Sequence, residues 1–423
     1  PIWWIPAGAC QKVPERYEIS PEEMLAAQNK VENRDSEPET KTGKIRSMEL
    51  LSQNEFLDAL DLDNYDEETA PCQNVPDEDD AELDGDDEEM DAEDLSDLSD
   101  MEDYELKDSD NVCIICRSED DEFSLEMHVY DSNTGSLFVH HDFTVPSFPL
   151  CLQWMNCDPR SPTVQGSFVA VGTFQPEIEI WNLDVIDVLE PICVLSGHHK
   201  DAVMSLSWQP IQRSRLASGS ADKTIAIWDL GNIGNGPVDV LRHHNEKVQS
   251  LAWHPAESPI LLSGGYDRKV IITDTRSGDA SLSFTVNADV EQTLWNPSNP
   301  AIVAVTAEDG SVSIIDVRRG SGDAAKLLSW TAHSESCTAL SFSSASPGLI
   351  ATGGTDKLVK VWDISTLTQD LVCEKDLKVG EVFSVDFNTE NSLLLAAAGS
   401  HGVLALWHID ENPEVDSRFG KKT

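Results

Sequence analysis

Two sets of residues in this sequence combine a histidine, a hydroxyl and an aspartate, the side chains that activate the nucleophile in many hydrolases. In both sets the hydroxyl residue lies ten residues, and the aspartate six residues, before a tryptophan. An enzyme needs one such triad, so a triad that recurs at fixed spacing favours a repeated structural network over a catalytic site. The two sets are His198, Ser218, Asp222 and Trp228, and His333, Thr352, Asp356 and Trp362.

Other catalytic and metal-binding motifs are missing from the sequence. It has no phosphate-binding glycine loop, no nucleophile elbow and no HExxH motif. Among nine cysteines the only close pair is Cys113-x-x-Cys116, on a predicted strand where residues three apart point to opposite faces. Because no second pair completes a zinc site, we expect reduced structural thiols in an intracellular protein, with no metal and no cofactor. We also expect no enzymatic activity.

Short strands in a repeated unit must position these residues. In Leu216–Asp229, two runs of small, β-branched and aromatic residues flank the turn Ala221-Asp222-Lys223, which predicts a hairpin. Segments with the same ending recur at spacings of 47, 45, 42, 47 and 45 residues, and a seventh copy, Leu125–Asp131, lies upstream. These endings are Trp181-Asn182, Trp228-Asp229, Thr273-Asp274, Ile315-Asp316, Trp362-Asp363 and Trp407-His408.

This period is typical of four-stranded blades, and Trp228-Asp229, with Gly197-His198 upstream, resembles the WD repeat. We therefore predict an all-β fold, a seven-bladed WD-repeat β-propeller. In such a blade, the histidine, hydroxyl, aspartate and tryptophan would form one buried hydrogen-bond network. Blades four and five depart from the pattern with Thr273 and Ile315 in the tryptophan position, and blade seven has His401 in the aspartate position.

Charge divides the chain into unequal parts. Of its 423 residues, the first 110 hold 36 acidic and 8 basic residues, whereas the remainder holds 41 and 21. We predict a propeller over residues 111–410, preceded by an acidic region at 7–110 that is largely disordered with short helices, and followed by a tail at 411–423. Within the tail, Glu414–Phe419 is a candidate fourth strand for blade seven. No apolar run reaches the ~18 residues of a membrane span.

The N-terminus repeats the ending of later inner strands. Trp4-Ile5-Pro6 has the W-x-P pattern of Trp208-Gln209-Pro210 and Trp253-His254-Pro255. We therefore predict that residues 1–6 supply the innermost strand of blade one, which makes residues 7–110 an insertion. The alternative is an exposed apolar terminus that binds a partner.

The acidic region contains two predicted helices and one strongly charged segment. Ser20-Pro21-Glu22-Glu23 has the residues of a helix start, and a helix to about Lys30 should follow, with a second at about 45–60. From Asp77 to Asp110 there are 20 carboxylates and one lysine. Such a segment should be disordered and should repel nucleic acid, and it either attracts basic proteins or serves only as a solvated spacer.

Two serines in this segment are candidate phosphorylation sites. Ser99 precedes Asp100 and Glu102, a context that suits an acidophilic kinase. Phosphate on Ser99 would place a further negative charge beyond Ser96.

Three other segments carry a resemblance that covers nearly the whole chain. The run Val171–Asp187 (VGTFQPEIEIWNLDVID), the start Trp4–Gly8 and the segment Leu62–Glu68 (LDNYDEE) resemble the periodic tryptophan protein 1 family. The resemblance implies a nuclear and nucleolar WD-repeat scaffold that supports ribosome biogenesis, including ribosomal RNA production and large-subunit assembly, and that is linked to chromatin. It implies pre-ribosomal components, ribosomal proteins or histones as partners.

Two other functions remain open from the sequence. One is a histone-binding regulator of ribosomal gene transcription; the other is a substrate receptor of a cullin-type ubiquitin ligase. The latter often carries W-D-x-R, but Asp274-Thr275-Arg276 and Asp316-Val317-Arg318 lack the tryptophan. We expect a monomer within larger assemblies, with indirect RNA association and no membrane contact. The candidate partner-binding residues, in turns at the pore mouth, are Phe174, Gln175, Tyr266 and Arg268.

Overall fold

A computed structural model describes residues 1–17, 105–107, 109–119 and 122–420 of the chain. Within these ranges, seven antiparallel sheets follow one another, six with four strands and the last with three. The innermost strand of each sheet contacts the innermost strand of the next, and the last contacts the first. The predicted seven-bladed β-propeller is therefore confirmed.

Each blade runs from an inner strand to an outer strand. Blade one comprises Ile2–Ile5, Asp110–Glu119, Glu122–Asp131 and Ser136–Thr144; blade two comprises Pro149–Asp158, Ser161–Thr173, Ile178–Asn182 and Cys193–Leu195; blade three comprises Val203–Trp208, Arg215–Ser220, Ile225–Asp229 and Asp239–Leu241; blade four comprises Val248–Trp253, Ile260–Gly265, Lys269–Asp274 and Asp279–Thr285. Blade five comprises Val290–Trp295, Ile302–Ala307, Ser311–Asp316 and Lys326–Thr331; blade six comprises Cys337–Phe342, Leu349–Gly354, Val359–Asp363 and Asp370–Lys375; blade seven comprises Val382–Phe387, Leu394–Gly399 and Leu404–His408.

Small residues on the second strands allow the blades to pack closely. A Cβ added to Gly219 would lie 2.8 Å from Cγ1 of Val248, and one added to Gly353 would lie 2.5 Å from Cγ1 of Val382. In each pair the valine begins the inner strand of the following blade. Both faces of the second strands are buried in this way, which explains their continuous small and apolar sequence, as in Leu349–Gly354.

The N-terminal strand closes the ring. Ile2–Ile5 pairs antiparallel with Val112–Ile115 of blade one, and its other edge faces the inner strand of blade seven. There the Ile2 amide donates to Ser384 Oγ at 3.1 Å, and the Trp4 indole donates to the Asp386 carbonyl at 3.2 Å. The structure thus places residues 2–5 as the innermost strand of blade one.

After this strand the chain crosses to blade two. Glu15–Arg16 pairs in parallel with Val185–Ile186, and the returning chain is held where the Leu106 amide donates to the Lys12 carbonyl at 2.8 Å. The predicted helices at 20–30 and 45–60, the predicted disorder of the acidic segment, and Ser96 and Ser99 lie outside the described residues.

The prediction of an outer strand at Glu414–Phe419 is wrong. Pro413–Phe419 is an α-helix, with Asn412 as the N-cap that accepts from the Glu414 amide and with Pro413 in the first turn. Val415 is fully buried in the apolar cluster between blades six and seven, and the helix contacts the outer strand of blade six, Asp370–Lys375. Short 3₁₀ helices occupy Leu230–Asn235, Val317–Arg319, Asp323–Ala325 and Ile409–Glu411. In the part of the chain that the structure describes, no helix is long and apolar enough to span a membrane.

Candidate partner-binding face

Blade six contains the complete predicted network. The partners fix the His333 ring, since Nδ1 lies 2.8 Å from an Asp356 oxygen and Nε2 lies 2.8 Å from Thr352 Oγ1. The Trp362 indole donates to the same threonine oxygen at 2.9 Å. His333, Thr352, Asp356 and Trp362 therefore form one continuous chain of hydrogen bonds from the surface turn to the core.

Blade three has the same network but with a different histidine from the one predicted. His199, and not His198, lies 3.1 Å from Asp222 and 2.7 Å from Ser218 Oγ, which also accepts from the Trp228 indole at 2.8 Å. His198 is half-buried and lies 3.3 Å from Thr224 Oγ1. The choice of His198 is thus wrong by one residue, because the loop between Leu195 and Val203 buries the second histidine of the pair.

Blade four carries a partial network that was not predicted from the sequence. His244 lies 2.9 Å from both Asp267 and Ser263 Oγ, although Thr273 replaces the tryptophan. The histidine precedes the aspartate by 23 residues in all three networks, and that interval would have identified both His199 and His244.

Burial determines the protonation of these networks and prevents them from acting as triads. Burial lowers the pKa of His199 and His333, despite the neighbouring carboxylates that would raise it, so both rings are neutral near pH 7. Burial opposes ionisation of Asp356, but the His333 hydrogen bond and backbone donors outweigh it and lower its pKa. Ser218 and Thr352 are fully buried, so neither hydroxyl can reach a substrate.

The aspartates of these networks hold the turns between second and third strands. In blade three, both the Lys200 and Thr224 amides donate to Asp222, at 3.1 and 2.9 Å, which ties two neighbouring loops together. We call the side of the propeller that carries these turns the mouth face, because the inner strands begin there around the central channel. The turns are residues 174–177, 221–224, 266–268, 308–310, 355–358 and 400–403.

A cavity of about 580 Å³ opens at the centre of the mouth face. The second residue of the inner strand from each of blades two to seven lines it. These six residues are Leu150, Met204, Gln249, Glu291, Thr338 and Phe383.

Acidic groups gather at one side of this cavity. The Tyr266 hydroxyl donates to a Glu291 oxygen at 2.7 Å, and Lys247 Nζ lies 3.6 Å from the centre of the Tyr266 ring. Arg268 pairs with Asp289 at 3.2 Å. Burial raises the pKa of Glu291, because its carboxylate is partly removed from water.

Aromatic side chains gather at the opposite side. Phe174 is 58% exposed, and its ring lies 5.5 Å from that of Phe148, which in turn lies 5.7 Å from Phe123. Phe383, 52% exposed, lines the same cavity as Phe148. Phe123 packs against the core of blades one and two, whereas Phe148 and Phe174 are exposed to solvent.

The four predicted partner-binding residues all lie on the mouth face, but two are exposed to solvent and two bond to the neighbouring blade. Phe174 and Gln175 are not buried. Tyr266 and Arg268 instead bond to Glu291 and Asp289 on the neighbouring blade, so they shape the acidic side of the cavity. The cavity-lining residues carry no local sequence signal, because their convergence depends on ring closure.

The cysteines and histidines offer little scope for a metal. The eight cysteines in the described ranges are free thiols, and burial raises the pKa of Cys113 and Cys116. Ligand atoms of His198, His199 and Asp222 lie within 4.8 Å of one another. Both nitrogens of His199 are already committed to Asp222 and Ser218, so this group serves the blade-three network.

Comparisons with known proteins agree with this architecture. The family model for the WD domain, G-beta repeat, matches residues 189–229, 235–274 and 325–363. One chain of the crystal structure of the mitotic checkpoint complex shares the fold, with a TM-score of 0.56 and 23% identity over 71% of this chain and 83% of that chain.

Three related sequences match about three quarters of this chain. An uncharacterised WD repeat-containing protein of Schizosaccharomyces pombe is 39% identical, covering 75% of this chain and 65% of that protein. The periodic tryptophan protein 1 homolog of Drosophila melanogaster is 28% identical (75% and 72%), and periodic tryptophan protein 1 of Saccharomyces cerevisiae is 29% identical (74% and 65%). The matches therefore span between 65% and 72% of the length of these relatives.

Proposed function

This chain is a WD-repeat propeller protein with homologues named periodic tryptophan protein 1, and from that premise we propose that it is a non-catalytic scaffold for ribosome biogenesis. It acts in the nucleus and nucleolus, where it supports large-subunit assembly and ribosomal RNA production. Its partners are pre-ribosomal components and ribosomal proteins, and its association with RNA runs through them.

The observation that carries this proposal is the mouth face itself. Closed blades with buried hydroxyls and neutral histidines supply a rigid frame, and the candidate triads are part of that frame. What the frame presents to solvent is an aromatic cluster beside a carboxylate-lined cavity. Rigid, partly apolar surfaces of this kind suit the binding of other proteins.

The acidic insertion supports basic partners. The segment 77–110 carries 20 carboxylates and one lysine, which would attract ribosomal proteins by summed electrostatics and repel bare nucleic acid. The described residues on either side of this region meet where the Leu106 amide donates to the Lys12 carbonyl, on the face of the propeller opposite the mouth. Two separate contacts with one basic partner would add avidity.

A pull-down at moderate salt tests this function. The tagged full chain should retain large-subunit ribosomal proteins and assembly factors, and deletion of residues 77–110 should reduce the most basic of them. Recovery of histones without pre-ribosomal proteins would refute the biogenesis proposal in favour of a chromatin regulator. An unchanged set after the deletion would show that the acidic segment is only a spacer.

The ubiquitin-ligase alternative gains nothing from the structure. Arg276 and Arg318, which would be the arginines of its motif, each bond through two nitrogens to their own Asp274 and Asp316, at 2.6–3.0 Å. Co-purification of the ligase adaptor in the same experiment is the result that would support it.

A further inference from the structure

The cavity at the mouth contains two hydrogen-bond acceptors on adjacent blades. Gln249 Oε1 is buried and accepts no hydrogen bond from any residue that the structure describes. Glu291, on the next inner strand, accepts one hydrogen bond, from the Tyr266 hydroxyl. A buried amide oxygen without a donor costs about 1–3 kcal/mol, so the site gains stability when a donor arrives.

Electrostatics favour a cation at this position. Asp289 and Glu308 both add negative potential at Glu291, whereas Lys247 opposes it. Lys247 lies over the Tyr266 ring, and Arg268 is paired with Asp289, so neither cation bonds to Glu291. Three carboxylates thus face two cations, and Glu291 is the carboxylate that lines the cavity.

Much of the remaining wall is apolar. It also includes the hydroxyls of Thr338 and Ser400, and Arg117, whose guanidinium is paired with Glu119 and Glu126. Leu150, Met204 and Phe383 line the cavity from blades two, three and seven, and Phe148 extends this apolar surface to the exposed Phe174. An occupant must therefore combine an apolar stem with a cationic end that carries several donors. Arginine fits this description, because its methylene chain packs on apolar surface and its planar guanidinium offers five N–H donors.

We propose that the mouth of the channel binds a partner protein through one inserted arginine. Its guanidinium bonds to the Glu291 carboxylate and the Gln249 amide oxygen, and its stem lies against Leu150, Met204 and Phe383. Apolar residues that flank the arginine in the partner pack on Phe148 and Phe174. This inference rests on the proposed scaffold function only in that the partner is a basic protein.

A selection from random peptides tests the site directly. A displayed library of random twelve-residue peptides is selected against the full chain and, in parallel, against Glu291→Gln. We expect peptides enriched on the full chain to carry an arginine beside apolar residues, and we expect that enrichment to disappear on the variant. The most enriched peptide is then synthesised twice, with arginine or with uncharged citrulline, and binding is measured by titration calorimetry.

The expected effects are large enough to measure. Citrulline in the peptide, or Glu291→Gln in the protein, should each weaken binding by roughly tenfold or more, because each removes a charge-assisted hydrogen bond. Gln249→Leu should weaken it by about threefold to tenfold. Glu246→Gln is the matched control, since Glu246 lies exposed on the same face and pairs with Lys223 at 3.2 Å, and it should change binding by less than about twofold.

The proposal would be overturned by no enrichment, by enriched peptides without arginine, or by equal affinity of the citrulline peptide. A lysine in place of arginine that binds equally well would also do so, because only the guanidinium geometry distinguishes them. The pull-down separates this inference from the scaffold function. Ribosomal proteins retained equally by the full chain and Glu291→Gln would refute the arginine site while leaving the scaffold function in place.

Discussion

Replacement of Trp4 by alanine tests whether the N-terminal strand closes the propeller. Trp4 is 1% exposed, packs with Leu394 and Leu404 of blade seven, and donates its indole hydrogen to the Asp386 carbonyl. Truncation of a buried tryptophan to alanine typically costs about 3–5 kcal/mol. We expect a loss of that size in the free energy of unfolding of Trp4→Ala.

The expected shift in melting temperature follows from the size of the ordered region. With roughly 2.1 cal/mol/K of unfolding entropy per residue over the ~330 described residues, that loss lowers Tm by roughly 4–7 °C. The assay is thermal unfolding followed by far-UV circular dichroism, together with urea unfolding. Trp4→Phe keeps an aromatic ring but leaves the Asp386 carbonyl without its donor, and it should cost about 1 kcal/mol beyond its smaller loss of packing.

An internal interface supplies the comparison. Trp295 donates to the Ala252 carbonyl at 3.1 Å, the equivalent contact between blades four and five, so Trp295→Ala should cost about as much as Trp4→Ala. If Trp4→Ala melts within about 1 °C of the unaltered chain while Trp295→Ala does not, the N-terminal strand does not close the ring. Our explanation of its position would then be refuted.

Three further outcomes follow from the fold. In urea unfolding, the free energy of unfolding of His199→Ala should fall by about 2–4 kcal/mol, because its buried partners lose their hydrogen bonds. His198→Ala should change it by less than about 0.5 kcal/mol. The reverse order would make His198 the network histidine. Gly353→Ala should lower stability by about 1–3 kcal/mol, because the added Cβ overlaps Val382. In a double-mutant cycle, Val382→Ala in the same chain should recover part of that loss. If the two stability changes simply add, the contact is contradicted. Burial raises the pKa of Asp386 to about 7, so the folded state binds the carboxyl proton more tightly than the unfolded state, and stability falls as pH rises from about 4 to about 7. Tm of the unaltered chain should therefore fall relative to that of Asp386→Asn across this range, and parallel curves would show that Asp386 is not protonated in the fold.

The repeat period was sufficient to predict the propeller, because four-stranded blades impose a nearly constant length on the sequence. The innermost strand of blade one required a finer signal, the W-x-P ending of Trp4-Ile5-Pro6. That ending carries physical information, since the indoles of Trp4, Trp253 and Trp295 each donate to a carbonyl of the preceding inner strand, although the Trp208 indole donates to the Arg213 carbonyl instead. A short pattern was less informative where it is compatible with both a helix and a strand. Pro413 suits the first turn of a helix as well as an edge strand, so the sequence did not distinguish the two for the segment that follows it.

The histidine assignment shows a different limit. His198 and His199 both lie beside Asp222 and Thr224, so either fits the local motif, but only His199 is buried and bonds to Ser218. Only comparison with blades four and six, where the histidine stands 23 residues before the aspartate, resolves the choice. The turns at the mouth could be predicted from the repeat, but the residues that line the cavity could not, because they come from six strands that no local pattern connects.

The inner-strand tryptophans explain how a ring with separate chain ends can be closed by ordinary contacts. Trp253 and Trp295 donate to the carbonyls of Ser207 and Ala252 on the preceding blade, and Trp4 makes the equivalent bond across the closure. The backbone amide two residues before each of these tryptophans also donates to a serine hydroxyl on the preceding blade. The closing interface therefore repeats two hydrogen bonds of the interfaces between blades three and four and between blades four and five. The hydrogen bonds and the buried Trp4 side chain that join blades seven and one are thus of the same kind as those that join neighbouring blades within the ring.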